Sequence, residues 1–130
     1  MSVGKKALII TDAAEIIQSP AKIISDALTE FNVKICTAEN FAGTDLLPAD
    51  IFFLGCENPG HKSFAYLEDL FSHINLASRK CGIFSTNENA LQYLRGIVKD
   101  SEADLGEPLL LTENEEKKSI IENWLNKLLK

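Results

Sequence analysis

The sequence has little that would span a membrane. Its longest apolar run, "DIFFLGC" at 50–56, is far short of the ~20 residues a transmembrane helix needs. Basic charge is also scarce: 13 Lys and Arg face 19 Asp and Glu, a formal net charge of −6. Such a field repels polyphosphate, so nucleic acid is not an expected ligand, and a basic protein is the partner it would favour. Cysteine is limited to Cys36, Cys56 and Cys81. An odd set without a C-x-x-C pair excludes a disulfide framework and a zinc ribbon, and fits reduced thiols. Internal repeats, low-complexity segments and linkers are absent. Met1 to Lys6 lead directly into a strand pattern, which leaves no room for a signal peptide, so a cytoplasmic protein is expected.

What is present is an ordinary globular composition, 45% hydrophobic and 25% charged, in a length that suits a single domain over 1–130. Five apolar runs read as strands: "KALIIT" (Lys6 to Thr11), "VKICTA" (Val33 to Ala38), "DIFFLG" (Asp50 to Gly55), "KCGIFS" (Lys80 to Ser85) and "PLLLT" (Pro108 to Thr112). The first and third are almost continuously apolar, as central parallel strands covered on both faces should be. The second alternates and the fifth opens on proline, which suits sheet edges.

Amphipathic helices separate these strands. Ser19 and Pro20 read as N-cap and first residue of helix one, with Ile23, Ile24, Ala27, Leu28 and Phe31 on its apolar face. Ser63 to Leu76 presents Phe64, Leu67, Phe71 and Ile74, and Asn87 to Lys99 presents Leu91, Leu94, Ile97 and Val98. The last helix carries Ile120, Ile121, Trp124, Leu125 and Leu128, behind Thr112 and Glu115 in capping-box spacing. "NFAGTDLLPAD" reads as a loop with a helical turn.

Strands alternating with helices imply right-handed crossovers and a parallel sheet between two helical layers. The compact solution is a three-layer α/β sandwich with five strands in the order 2-1-3-4-5. Its ligand crevice lies beyond the carboxyl ends of strands one and three. The candidate crevice residues are Thr11, Asp12 and Ser19 after strand one, Cys56, Glu57, Asn58, Pro59 and Gly60 after strand three, and Thr86, Asn87, Glu88 and Tyr93 after strand four.

The chain resembles the flavodoxins over nearly its whole length. The resemblance lies in "KALII" before a helix, in "DIFFLGCENPG" for the family's D-x-x-x-x-G-[CST] strand and loop, in "LEDLFSHINLASRKCGIFS", and in "GEPLLL…IIENWLNKLL". It implies a flavodoxin-like fold and, in its usual form, FMN and electron transfer with a reductase. The family's S/T-x-T-G-x-T phosphate loop is replaced here by "TDAAEIIQS". Between Thr11 and Ser19 there is neither glycine nor hydroxyl, and Asp12 and Glu15 bring negative charge. Each would cost a nearby phosphate charge on the order of 1 to 4 kcal/mol. Asp12 and Glu15 also have capping-box spacing, so the loop is expected to fold as a helical turn whose Ile16 and Ile17 fill the phosphate space. The family's stacking aromatics are missing after strand three, where Pro59 stands, and near Leu91, with Tyr93 two positions on; Tyr93 and Phe64 are the substitutes at hand. The expected state is therefore a non-catalytic binding module without a cofactor, with an FMN carrier as the alternative.

Other chemistry has thinner support. Cys56 beside Glu57, with His61 five residues on, is the pair a thiol nucleophile would need, and defines a third reading as a Cys56-dependent enzyme. Asp12, Glu15, Glu57 and Glu88 could face one crevice, and read as a solvated acidic rim in preference to a Mg²⁺ or Ca²⁺ site. A receiver-type phosphoacceptor needs an Asp after strand three and a Lys after strand five, and this chain has Gly55-Cys56 and "PLLLTEN" there. Cys36 and Cys81 read as core residues, and His73 has no assigned role.

Overall fold

The computed structural model describes residues 5–111 and 117–129. Strand β1 (Lys5–Thr11), helix α1 (Glu15–Ala27), β2 (Phe31–Thr37), the short α2 (Gly43–Leu46), β3 (Ile51–Gly55), a 3-10 turn (Lys62–Phe64), α3 (Ala65–Phe71), β4 (Lys80–Ser85), α4 (Glu88–Ser101), the two-residue strands β5 (Asp104–Leu105) and β6 (Leu109–Leu110), and α5 (Lys117–Leu128) follow in that order. The sheet is parallel throughout and runs β2-β1-β3-β4-β5, with β6 also on β4. This is the 2-1-3-4-5 order expected from the sequence. The fifth strand, however, is divided. Asp104 and Leu105 pair with Lys80 and Cys81, while Leu109 and Leu110 pair with Phe84 and Ser85. Pro108, without an N–H to give to a ladder, sits just before the second piece. Thr112, the expected end of that strand, and the capping residues Thr112 and Glu115 lie outside the described residues.

Alternation along the strands divides the core between the two faces. Ala7, Ile9, Ile51 and Phe53 pack with Ile17, Ala21 and Ile24 of α1 and Ile121, Trp124 and Leu125 of α5. Leu8, Ile10, Phe52, Leu54 and Ile83 pack on the other face with Leu67 and Phe71 of α3 and Leu94 and Val98 of α4. Gly82 allows the first face to close. A Cβ there would stand 2.8 Å from the Trp124 ring and 2.9 Å from Phe53 and Leu128.

The expected start of helix one is corrected. The helix begins at Glu15, five residues before Pro20, so Ser19 is an exposed residue within it and caps nothing. Burying Ile17, Ala21 and Ile24 on the sheet is worth roughly 1.5 to 3 kcal/mol for each large side chain. That offsets the ~3 kcal/mol a proline costs inside a helix. Pro20 has no N–H to meet the carbonyl of Ile16, a residue on the exposed side. Phe31, assigned to that helix from spacing, instead opens β2. The segment 63–76 is helical only as far as Phe71, so Ile74 and Leu76 follow the helix as packed loop residues.

Candidate functional site

Loops at the carboxyl ends of β1, β3 and β4 converge, as the strand order requires. Each begins as a continuation of its ladder. The Asp12 N–H donates to the Gly55 carbonyl at 3.2 Å and the Cys56 N–H to the Phe84 carbonyl at 3.3 Å. Asp12 thus arrives beside the loop after β3 with its side chain turned toward it, and is only 4% exposed.

Three backbone N–H groups donate to that carboxylate. Glu57 and Asn58 reach Oδ2 at 2.6 and 3.1 Å, and Ala14 reaches Oδ1 at 3.2 Å. The expected capping box is therefore not formed. Ala14 is the N-cap of α1, and it makes no side-chain cap to the first turn. Asp12 has spent its acceptors on the neighbouring loop, because two amides converging on one charged oxygen bind more strongly than a single cap. Of the two isoleucines expected to fill this region, Ile17 is fully buried against the sheet and Ile16 is 40% exposed.

The other expected residues fall around this contact. Thr11 is buried and its Oγ1 accepts from Gln18 Nε2 at 3.2 Å, while the same amide donates to the Asp12 carbonyl at 2.9 Å. The Glu57 carboxylate accepts from the Thr86 hydroxyl and from Asn87 Nδ2 at 3.4 Å, and Asn87 Nδ2 also donates to the Glu57 carbonyl at 3.0 Å. Asn87 Oδ1 meanwhile caps α4 through the Ala90 N–H at 2.8 Å. Pro59 and Gly60 are exposed at the loop tip, where Gly60 adopts φ 76, a left-handed conformation that glycine takes without strain. Ser19 is exposed within α1 and Glu88 is exposed in the first turn of α4.

Tyr93 lies edge-on to the buried Phe64, ring centroids 5.8 Å apart, and donates its hydroxyl to Glu68. Burial and the Glu68 carboxylate hold its phenol well above the ordinary value. Gln18, on Thr11 and Asp12, Ser85, whose hydroxyl donates to the Cys56 carbonyl at 2.5 Å, and Glu68, on Tyr93, were not marked by the sequence. Their only signal was a polar residue one turn into a helix or at the end of a buried strand.

Cys56 is fully buried. Burial pushes its thiol up to about 12, and the neighbouring Asp12 charge adds to the rise. A thiol held protonated in this way is not a nucleophile at neutral pH, and the His61 ring is turned to Ser63, at 3.0 Å from its hydroxyl. Among the described residues no group of three His, Cys, Asp or Glu side chains could hold a metal ion. Nor is any helix among them long and apolar enough to cross a membrane.

Between these loops and the end of β2 lies a cleft of about 250 Å³, lined by Asp12, Ala14, Thr37, Glu39, Asn58 and His61 among others. It is smaller than the ~300 Å³ at which pockets for drug-sized ligands begin.

No protein-family model matches the chain, and no curated protein matches it in sequence. Solved structures do match it. A short-chain flavodoxin associated with a non-canonical PDU bacterial microcompartment superposes with a TM-score of 0.83 at 15% identity, over 96% of this chain and 97% of that one. The flavodoxin of Streptococcus pneumonia TIGR4 gives 0.79 at 16% identity, and flavodoxin 2 of Bacillus cereus 0.79 at 20%, each over 95% of this chain and 97% of the other. The chain has the flavodoxin-like α/β fold.

Proposed function

We propose that this chain is a flavodoxin-like module that does not take FMN and acts by binding a basic protein partner. The observation that carries the reading is the Asp12 carboxylate, buried at the end of β1 and bonded to the N–H groups of Ala14, Glu57 and Asn58. A flavin phosphate needs free N–H groups and hydroxyls at this turn. Here the Ala14 N–H of the turn, and the Glu57 and Asn58 N–H groups of the loop beside it, have an internal anion, and the Thr11 hydroxyl is engaged by Gln18. Glu15 opens the helix with a second negative charge. The residues present do not fit FMN, so no electron-transfer step is assigned to them.

The same substitutions leave an acidic rim. Glu15, Glu39 and Glu88 stand exposed, and Glu57 half-buried, on the loops and helix starts after β1 to β4, where Lys62 supplies the basic charge. A rim of one sign steers an oppositely charged partner and raises its association rate at low ionic strength.

The second reading, an FMN carrier served by a reductase, is favoured by the superposition on flavodoxins over 95% or more of the chain. The purified protein separates the two. A colourless preparation that yields no flavin on denaturation is expected; a yellow one supports the carrier. A Cys56-dependent enzyme has the buried, protonated thiol against it.

A further inference from the structure

The two edges of the sheet are not alike. The β5 edge is two residues long, and the chain reaches β6 only after Pro108; short strands and proline are what keep an edge from pairing. The other edge, β2, runs unbroken for seven residues from Phe31 to Thr37, in register with β1 throughout, with neither proline nor bulge. Its one charged side chain, Lys34, is drawn back to Asp45 of its own chain at 3.0 Å. Among the described residues β1 is the only strand that pairs with it. We infer that β2 is a docking edge for a second copy of this chain, and that two copies pair antiparallel through it around a two-fold axis at Ile35. The inference is independent of what the crevice binds.

Backbone direction supplies the donors and acceptors. The Ala38 N–H donates to the Thr11 carbonyl of β1 at 2.8 Å. Along a strand the N–H and C=O of one residue point to one side and those of the next to the other. The even-numbered residues of β2 therefore bond inward to β1, and Val33, Ile35 and Thr37 direct their backbone groups outward. Of these, the Thr37 carbonyl takes the Asn40 N–H at 3.1 Å and keeps a second lone pair. Beside them Ile35 is 42% exposed, a branched apolar side chain in the middle of the edge.

Charge selects the occupant and the register. A two-fold axis perpendicular to the sheet sets one residue opposite its own copy. With Lys34 there, like charges would meet directly, which is unfavourable. With Val33 there, Glu39 would lie beyond the start of the partner's β2. With Ile35 there, Ile35 pairs with itself, Val33 pairs with the partner's Thr37, and Lys34 lies opposite the partner's Cys36. The exposed isoleucines then cover each other. The same register brings the exposed Glu39, just past the end of β2, toward the partner's Phe31, whose ring has Lys5 Nζ 6.0 Å from its centroid. Opposite charges therefore face at both ends of the pair. Antiparallel pairing also sends the two acidic rims to opposite ends of the joined sheet, so the charge of −6 on each copy is kept apart. The β5 edges left outside are too short to carry the assembly on, and it closes as a dimer.

The test is self-association. A single strand pair is a small interface, so wild type is expected to pass from monomer to dimer between about 10 µM and about 1 mM in sedimentation equilibrium. Ile35→Lys sets like charges on the axis and is expected to stay monomeric with an unchanged circular dichroism spectrum; a variant that dimerises as wild type does overturns the proposal. Ile35→Cys in a Cys36→Ser background reads the register, since hydrogen-bonded antiparallel neighbours stand about 5.5 Å apart at Cα, inside the disulfide range. It is expected to form a disulfide-linked dimer at least about ten-fold faster than Val33→Cys in the same background, whose Cα atoms the register holds further apart. Equal rates, or faster cross-linking by Val33→Cys, overturn the proposal. Amide hydrogen exchange on wild type needs no variant. The Val33 and Ile35 amides are expected to gain protection as concentration rises through that range, while those of Lys34 and Cys36 are protected throughout. A wild type that remains monomeric, or a dimer in which the Val33 and Ile35 amides gain no protection, overturns it.

Discussion

Oδ2 of Asp12 accepts the Glu57 N–H at 2.6 Å across 45 residues of chain, and this contact joins the first and third crossover loops at the switch point of the sheet. It ties the end of β1 to the loop after β3. The consequences are energetic before they are functional.

Asp12 is buried, so truncation leaves inward-facing N–H groups without an acceptor. Asp12→Ala is expected to lower stability by about 2 to 4 kcal/mol, the range for losing charge-assisted hydrogen bonds partly shielded from water. Asp12→Asn keeps one acceptor oxygen and loses the charge, and should fall between. Urea unfolding followed by circular dichroism measures both; a wild-type-like midpoint for Asp12→Ala contradicts the role assigned to the contact.

Cys56 predicts an alkaline limit. Its folded-state thiol is raised to about 12 from an ordinary value of 9.0. Between those values the unfolded chain loses this proton while the folded chain keeps it. The contribution is thus complete below pH 9 and declines as pH rises toward 12. Cys56→Ser is expected to flatten that alkaline decline relative to wild type. The thiol should also resist alkylation in the native protein at neutral pH and react once unfolded; rapid native modification, located at Cys56 by mass spectrometry, would contradict this.

Gly82 predicts a packing defect. An added Cβ would meet the rings of Trp124 and Phe53 and the end of Leu128 inside 3.0 Å, so Gly82→Ala must displace α5 or its side chains. A loss of about 1 to 3 kcal/mol is expected, with a change in the fluorescence of Trp124, the one tryptophan. Unchanged fluorescence and stability would show that α5 has room that the packing does not provide.

Legibility in the sequence followed the source of each element's stability. Strands β1, β3 and β4 are buried on both faces, so their apolar runs marked them to within a residue, and the order 2-1-3-4-5 came with them. The ends of elements were harder to read, because tertiary contacts set them. Ser19-Pro20 has the local chemistry of a helix start, yet the burial of Ile17 draws α1 back to Glu15. The site shows the same division. That Asp12 and Glu15 alter the phosphate turn was visible from residue type, but the pairing of Asp12 with Glu57 and Asn58 was not, since only the fold brings residues 12 and 57 together.

Calorimetric titration of the purified, flavin-free protein with FMN tests the central claim most directly. With Asp12 holding the amides of Glu57 and Asn58, no saturable heat is expected for FMN, riboflavin or FAD. Saturable, stoichiometric binding of FMN by wild type, with loss of affinity for riboflavin, would place a phosphate where Asp12 stands and contradict it.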